Sequence, residues 1–421
     1  MSALVVANAS SVIPLAGGAP VRGEALAEAD VLSDTSIVCE DGRIASLGRE
    51  TSADVVFDAS GCAVVPGFVD CHTHLPFYGW RAEEDAARLA GARYETIHHE
   101  EGGIYRSARL LAEASDEDVL AFSEGLAAAM LSAGTTTFET KSGYGLSVDG
   151  ELRQLRLARA LSERVPQTVV TTCLAAHAVP KGKKPGEWIE EVLRDLLPVV
   201  ADEGLASACD VYVEDIAFRL EHAERLAESA RAHGLRMRMH ADQLEDSRAA
   251  SFAAHSGFAT ADHLNHTPAE SAADIAGTDT VAVLLPGATF TLRQTEKPPA
   301  RTLIQRGAIV ALGTDFNPGT SPIHSMPFVI ALACRLYGLR PLEALVAATA
   351  NAAYALGLHE ETGGLAPGMR ADLVVLDVPS FDHVVYRPDH DVVLAVVCGG
   401  ELVHVAERAR ARLDGRPSST R

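Results

Sequence analysis

The segment Pro66-Gly-Phe-Val-Asp-Cys-His72-Thr-His74 sets two histidines two residues apart at the end of an apolar run. Side chains at i and i+2 of a strand point to one side, so His72 and His74 can share a metal ion. Two further apolar runs end in groups of the same kind, Met237-Arg-Met-His240 and Ala311-Leu-Gly-Thr-Asp315. Taken singly, each has an ordinary explanation: imidazoles pack in cores, and Asp315 before Phe316-Asn-Pro-Gly can start a turn. Taken together, three imidazoles and a carboxylate form a nitrogen-rich set suited to one divalent ion, zinc or iron, with a position left for water. Such an ion lowers the pKa of water toward neutrality, and Asp315 is then placed to take its proton as base, ionised by the neighbouring cation.

Two more histidines end apolar runs. His263, in Ala-Asp-His-Leu, is expected to hydrogen-bond the attacking water or an oxyanion, and His177, in Leu-Ala-Ala-His, to polarise a substrate carbonyl. Arg81, Tyr94 and Tyr144 form a second group. An arginine grips a carboxylate through two parallel hydrogen bonds, and tyrosine hydroxyls can complete the shell. Lys141, two residues after Glu139, reads instead as half of a structural ion pair. Asn317-Pro-Gly319 offers a side-chain amide and backbone groups to a polar ring.

Residues scattered this widely meet only if the elements carrying them end at one place. Strand-like runs at 63–69, 135–140, 168–176, 208–213, 236–240, 260–263, 280–285 and 308–314 alternate with helical segments such as 116–133, 150–163, 184–202 and 219–233. Eight βα units without a Gly-x-Gly-x-x-Gly turn favour a TIM-type (β/α)8 barrel over an open doubly wound sheet. In a barrel the C-terminal strand ends gather around one mouth. Before the barrel come short strands at 3–6, 35–39, 44–47 and 55–58; after it come 372–377 and 393–398, with Gly399-Gly400 turning into 401–405. The expected organisation is a small β-sandwich domain formed by both termini, residues 1–65 and 365–421, around a barrel of residues 66–364.

With 36 Lys and Arg against 57 Asp and Glu, the formal charge is −21. That balance argues against nucleic acid as a partner, and an anionic substrate needs a local cation to offset the field. No run of eighteen uninterrupted apolar residues suggests a membrane span, and the first residues lack the pattern of an export signal, so a cytoplasmic protein is expected. The seven cysteines are scattered, odd in number and without a Cys-x-x-Cys pair, which points to buried small apolar residues.

These features resemble the amidohydrolase superfamily, with a His-x-His on the first strand, histidines on strands five and six and an aspartate on strand eight. Within it the chain resembles the imidazolonepropionases, through His72-Thr-His-Leu, Lys141-Ser-Gly-Tyr-Gly-Leu146, Ala176-His-Ala178, His240-Ala-Asp-Gln243, Ala261-Asp-His-Leu264, Val283-Leu-Leu-Pro-Gly287 and Thr314-Asp-Phe-Asn-Pro-Gly319. The resemblance implies His72, His74, His240 and Asp315 as ligands of one zinc or iron. It implies Arg81, Tyr94, Tyr144 and His177 as substrate contacts, His263 beside the water, and Asn317 and Gly319 near an imidazolone ring. Gln243 stands where some members carry glutamate, so a proton-shuttling role there does not carry over. The segments Pro76-Phe-Tyr-Gly-Trp80 and His99-Glu-Glu-Gly-Gly103 depart from the family pattern. The implied reaction is hydrolysis of the cyclic amide of 4-imidazolone-5-propanoate, a small anionic substrate, to N-formimino-L-glutamate; the sequence does not fix the oligomer, and a homodimer is compatible with it. A ring deaminase, a hydrolase of a related substrate such as a hydantoin-propionate, and a non-catalytic scaffold are the rivals.

Overall fold

The computed structural model describes residues 3–16, 18–91 and 102–414. In it the apolar runs of the middle of the chain pair as parallel strands: β1 Phe68–Asp70, β2 Thr135–Lys141, β3 Thr168–Ala176, β4 Ala208–Val213, β5 Arg236–Ala241, β6 Thr260–His263, β7 Val281–Leu284 and β8 Ile309–Leu312. They are hydrogen-bonded in sequence order. Most are buried on both faces, which is why none of these shows the regular apolar–polar alternation of a half-exposed strand. Beyond the strand ends β8 returns to β1. Asp315 N donates to His72 O (3.0 Å) and His74 N to Phe316 O (2.9 Å), while Thr314 N and Oγ1 donate to the Asp70 carboxyl at 3.0 and 2.5 Å. Closing the ring thus brings Asp315 to His72 and His74.

The helices follow their local signals. Asp116–Ser132 is capped by Ser115, whose hydroxyl accepts from Asp118 N, and Val148–Ser162 by Ser147, which accepts from Gly150 N. The helix expected at 184–202 runs as three pieces, Pro185–Glu191, a wide turn Val192–Leu196, and Leu197–Asp202. Pro198 has no N–H to give to Arg194, so the regular ladder is interrupted just before it.

The strand expected at 63–69 is two strands in two sheets. Ala63–Pro66 pairs with Leu373–Leu376, whereas Phe68–Asp70 begins the barrel. The chain crosses between them at Gly67, whose N–H reaches Asp372 O (2.9 Å). One terminal sheet has the order Leu413–Asp414, Val55–Asp58, Leu4–Ala9, Thr35–Glu40, Arg43–Gly48. The other has Glu401–Val405, Val393–Cys398, Leu373–Leu376, Ala63–Pro66, Ser11–Val12. Each sheet mixes strands from both ends of the chain. Val6, Ile37 and Phe57 of the first share a core with Val64, Leu373 and Val375 of the second. The alternate residues Val65, Val374 and Leu376 belong to the barrel's core, so the second sheet is covered on both faces. All seven cysteines are free and none is exposed. Among the described residues no helix is long and apolar enough to cross a membrane.

Candidate metal centre and active site

His72 and His74 lie just past β1, His240 at the end of β5 and His263 at the end of β6, while Asp315 follows β8. Asp315 and His263 hold left-handed backbone conformations, φ +55° and +79°. This costs about 1–3 kcal/mol each and persists only where surrounding contacts impose it. Asp315 Oδ1 is 3.2 Å from His74 Nε2 and 3.6 Å from His72 Nε2. One candidate ligand atom from each of His72, His74 and His240 falls within 4.8 Å of the others, and the same holds for His72, His263 and Asp315. All five residues are buried.

The hydrogen bonding leaves this group incomplete without an ion. His72 Nδ1 is 2.6 Å from Asp262 Oδ2 and His240 Nδ1 is 3.1 Å from Asp210 Oδ2. These contacts fix both rings with Nε2 free, and neither Nε2 has a hydrogen-bonding partner. Nδ1 of His74 and of His263 is likewise buried and unpartnered. A buried polar atom without a partner is costly, and several around one point describe a cation site. Burial holds His72, His74 and His177 well below the ordinary imidazole value and lowers His263 to about 3. These rings are therefore neutral, with a lone pair to donate, throughout the physiological range. Burial raises the Asp315 carboxyl above the usual range, opposed by His263 and His240. The depressed value expected from the sequence therefore depends on the cation itself.

A cavity opens over this group, lined by His74, Arg81, Tyr144, His177, His240, Gln243, His263, Asp315 and Asn317 together with Ile104, Tyr212 and Thr320. His177 stacks on His74 with ring centroids 5.1 Å apart. Arg81 is 3% exposed, and its Nε and Nη1 have no hydrogen-bonding partner; the Glu84 carboxylate, 3.8 Å from Nε, is occupied by Gly103 N. Tyr144 sits on a loop whose backbone N–H groups are gathered by two side chains of the following helix: Glu151 takes Gly143 and Leu146, and Gln154 takes Tyr144. Gly143, at φ +110°, is required twice, because a Cβ there would also meet His177 Nδ1 at 2.8 Å.

Two of the expected contacts also have local structural roles. The Asn317 amide is occupied within its own turn: Oδ1 accepts from Gly319 N, Thr320 N and Thr320 Oγ1, and Nδ2 donates to Asp315 O. Gly319 is not among the lining residues. It is the surface on which the Arg81 guanidinium lies, since a Cβ would come within 1.9–2.2 Å of Nη2, Nε and Cζ. Trp80 does not line the cavity either. It packs with Phe77, Phe122 and Phe316 at centroid distances of 5.4–6.0 Å. Tyr94 and positions 99–101 lie outside the described residues.

Residues 63–403 match the Amidohydrolase family. The chain is 42% identical to an imidazolonepropionase of Symbiobacterium thermophilum, over 97% of this chain and 99% of that protein. It is also 42% identical to one of Rubrobacter xylanophilus, over 95% and 98%. The chain belongs to the imidazolonepropionases of the amidohydrolase family. Among solved structures, a zinc-bound adenosine deaminase from Xanthomonas campestris superposes with TM-score 0.69 at 18% identity, covering 96% of this chain and 93% of that one. A triazine hydrolase variant does so with TM-score 0.72 at 15% identity, covering 96% and 95%. These two establish the amidohydrolase fold.

Sequence reasoning missed Tyr212, Ile104 and Thr320 on the cavity wall. Tyr212 pairs in register with His240 on the next strand, a relation that strand pairing supplies and the sequence does not. Also missed were the acidic partners of the rings, Asp210 and Asp262. A lone aspartate inside each of two buried strands was the signal available.

Proposed function

We propose that this amidohydrolase hydrolyses the ring amide of 4-imidazolone-5-propanoate to N-formimino-L-glutamate. The observation that carries the reading is one cavity holding two unlike ends, a neutral imidazole cluster beside Asp315 and a buried arginine with two unpartnered N–H groups. A hydrolytic centre without Arg81 would suit many amides; with it, the substrate is an amide that bears an acid arm.

His72, His74, His240 and Asp315 would hold one divalent ion, zinc or iron. When bound, the ion supplies Lewis acidity and a water whose pKa lies near neutrality. Arg81 receives the propanoate and turns the ring carbonyl toward the histidines, with Tyr144 on the same cavity wall completing that shell. Asp315 accepts a proton as the water oxygen bonds to the carbonyl carbon. His177 and His263 hydrogen-bond the oxygens that gain charge. The C–N bond then breaks, the proton held at Asp315 passes to the departing ring nitrogen, and the carbonyl becomes a carboxylate. Gln243 lines the same cavity and can hydrogen-bond the ring, but it carries no titratable proton. We also read residues 1–65 and 365–421 as one composite unit beside the barrel of 66–364, supported by the mixed strand order of both terminal sheets.

Mass spectrometry of the product tests the reaction type. Hydrolysis adds one water and releases nothing, whereas ammonia release would identify a ring deaminase and overturn the reading.

A further inference from the structure

Directly beneath the imidazoles the barrel interior carries five charged side chains, all buried: Glu139 and Lys141 on β2, Asp210 on β4, Arg238 on β5 and Asp262 on β6. Lys141 Nζ lies 2.7 Å from Glu139 Oε1 and 2.9 Å from Asp210 Oδ2. Arg238 Nη2 lies 3.1 Å from Asp262 Oδ2 and donates to Cys71 O (2.7 Å), and its Nε is 3.9 Å from the same Glu139 Oε1. The outer end of each arm is an imidazole, Asp210 on His240 and Asp262 on His72. Glu139 also accepts from Thr73 N at 3.2 Å, and its backbone carbonyl accepts from Thr73 Oγ1 at 2.7 Å. Thr73 is the residue between His72 and His74, so the network reaches all three rings.

Stability does not account for this layer, because well-packed apolar residues of similar volume are commonly as stabilising as buried ion pairs. Lys141 and Arg238 are not among the residues lining the cavity, so neither is placed to touch substrate. What the layer does provide is a pair of carboxylate acceptors in a water-free place, each within reach of a buried cation. Only an acceptor at Nδ1 fixes the proton there and keeps Nε2 as the donor atom, and a buried carboxylate stays ionised only beside a cation.

We propose that Lys141 and Arg238, joined through Glu139, are positioning residues that hold His240 and His72 in the tautomer and orientation that bind the metal ion. This rests on the metal-dependent reading above, and metal binding tests it without substrate. Apo-protein is titrated with zinc against a chromophoric chelator, and the cobalt(II) form is examined by visible absorption. Lys141→Met and Asp262→Asn should each weaken zinc binding by about 10–100-fold and shift the cobalt bands, because ring orientation changes. Asp262→Asn preserves shape and an acceptor oxygen, and so reports on the charge where Lys141→Met does not fold. A merely structural role would lower the melting temperature of the apo-protein and leave affinity and bands in place. Folded variants with zinc affinity within about twofold of the native chain, well short of that loss, and with unchanged bands overturn the proposal. A native chain that takes up no ion overturns the metal reading, and the proposal with it.

Discussion

Gly319→Ala isolates the arginine from the rest of the site. The backbone there is not left-handed, so alanine can adopt it, and the nearest conflict is with the Arg81 guanidinium: 1.9 Å to Nη2, 2.1 Å to Nε and 2.2 Å to Cζ. No Cβ contact is that short, so the guanidinium must leave its place while the metal ligands keep theirs. Losing one partner of a buried charged pair costs about 3–5 kcal/mol, and each 1.4 kcal/mol is about tenfold. Complete displacement therefore lowers kcat/KM about 10²–10⁴-fold. Partial reseating toward Glu84 places the expectation near the lower figure. The assay compares kcat/KM for 4-imidazolone-5-propanoate with that for an imidazolone lacking the acid arm, alongside bound metal and melting temperature. The variant should lose efficiency on the first substrate, match the native chain on the second, and keep its ion and its fold. Equal losses on both substrates, or an unchanged KM for the acid, would refute the reasoning.

Elemental analysis should find about one divalent ion per chain, and His240→Ala should remove most of it with little change in far-ultraviolet circular dichroism; two ions per native chain would contradict the single site. Asp315→Asn should lower turnover by about 10²–10⁴-fold, the range for loss of a general base, with near-normal rates and metal in place showing that another group takes the proton. Glu214 gives a pH prediction. Its Oε1 accepts from Gln243 N and Leu244 N, Oε2 has no partner, and burial raises its pKa from 4.5 to about 8. The folded state therefore keeps a proton that the unfolded chain has lost, so this group's contribution is fully present below its unfolded pKa. It declines as pH rises toward 8 and then levels. Urea titrations across that window should show a decline that Glu214→Gln flattens; an equal slope in both proteins would assign the pH dependence elsewhere.

The barrel was legible because eight strand-like runs alternate with helical segments, and the candidate ligands because several of those runs lead into histidine or aspartate. The strand at 63–69 was misread as one piece. Its residues are apolar throughout, since both sheets it serves are buried, and composition alone does not mark the crossing at Gly67. The glutamate–lysine pair on β2 was visible from its spacing and stands at 2.7 Å, but its extension to Asp210 and His240 depends on strand neighbours that only pairing supplies. Gly319 was legible as a site position and not as a support for Arg81, because a missing side chain says nothing of what lies against it. Asn317 lines the cavity, and the local turn takes its amide oxygen, a use that its sequence context did not show.

The central claim is that one cavity joins a hydrolytic centre to an anchor for an acid arm. The most direct measurement offers the purified, metal-loaded chain 4-imidazolone-5-propanoate and a hydantoin-propionate under identical conditions, following loss of ring absorbance and formation of N-formimino-L-glutamate. The account predicts rapid turnover of the imidazolone to that product and slow turnover of the hydantoin. A chain that holds its ion and leaves the imidazolone untouched, or that prefers the hydantoin, would contradict it.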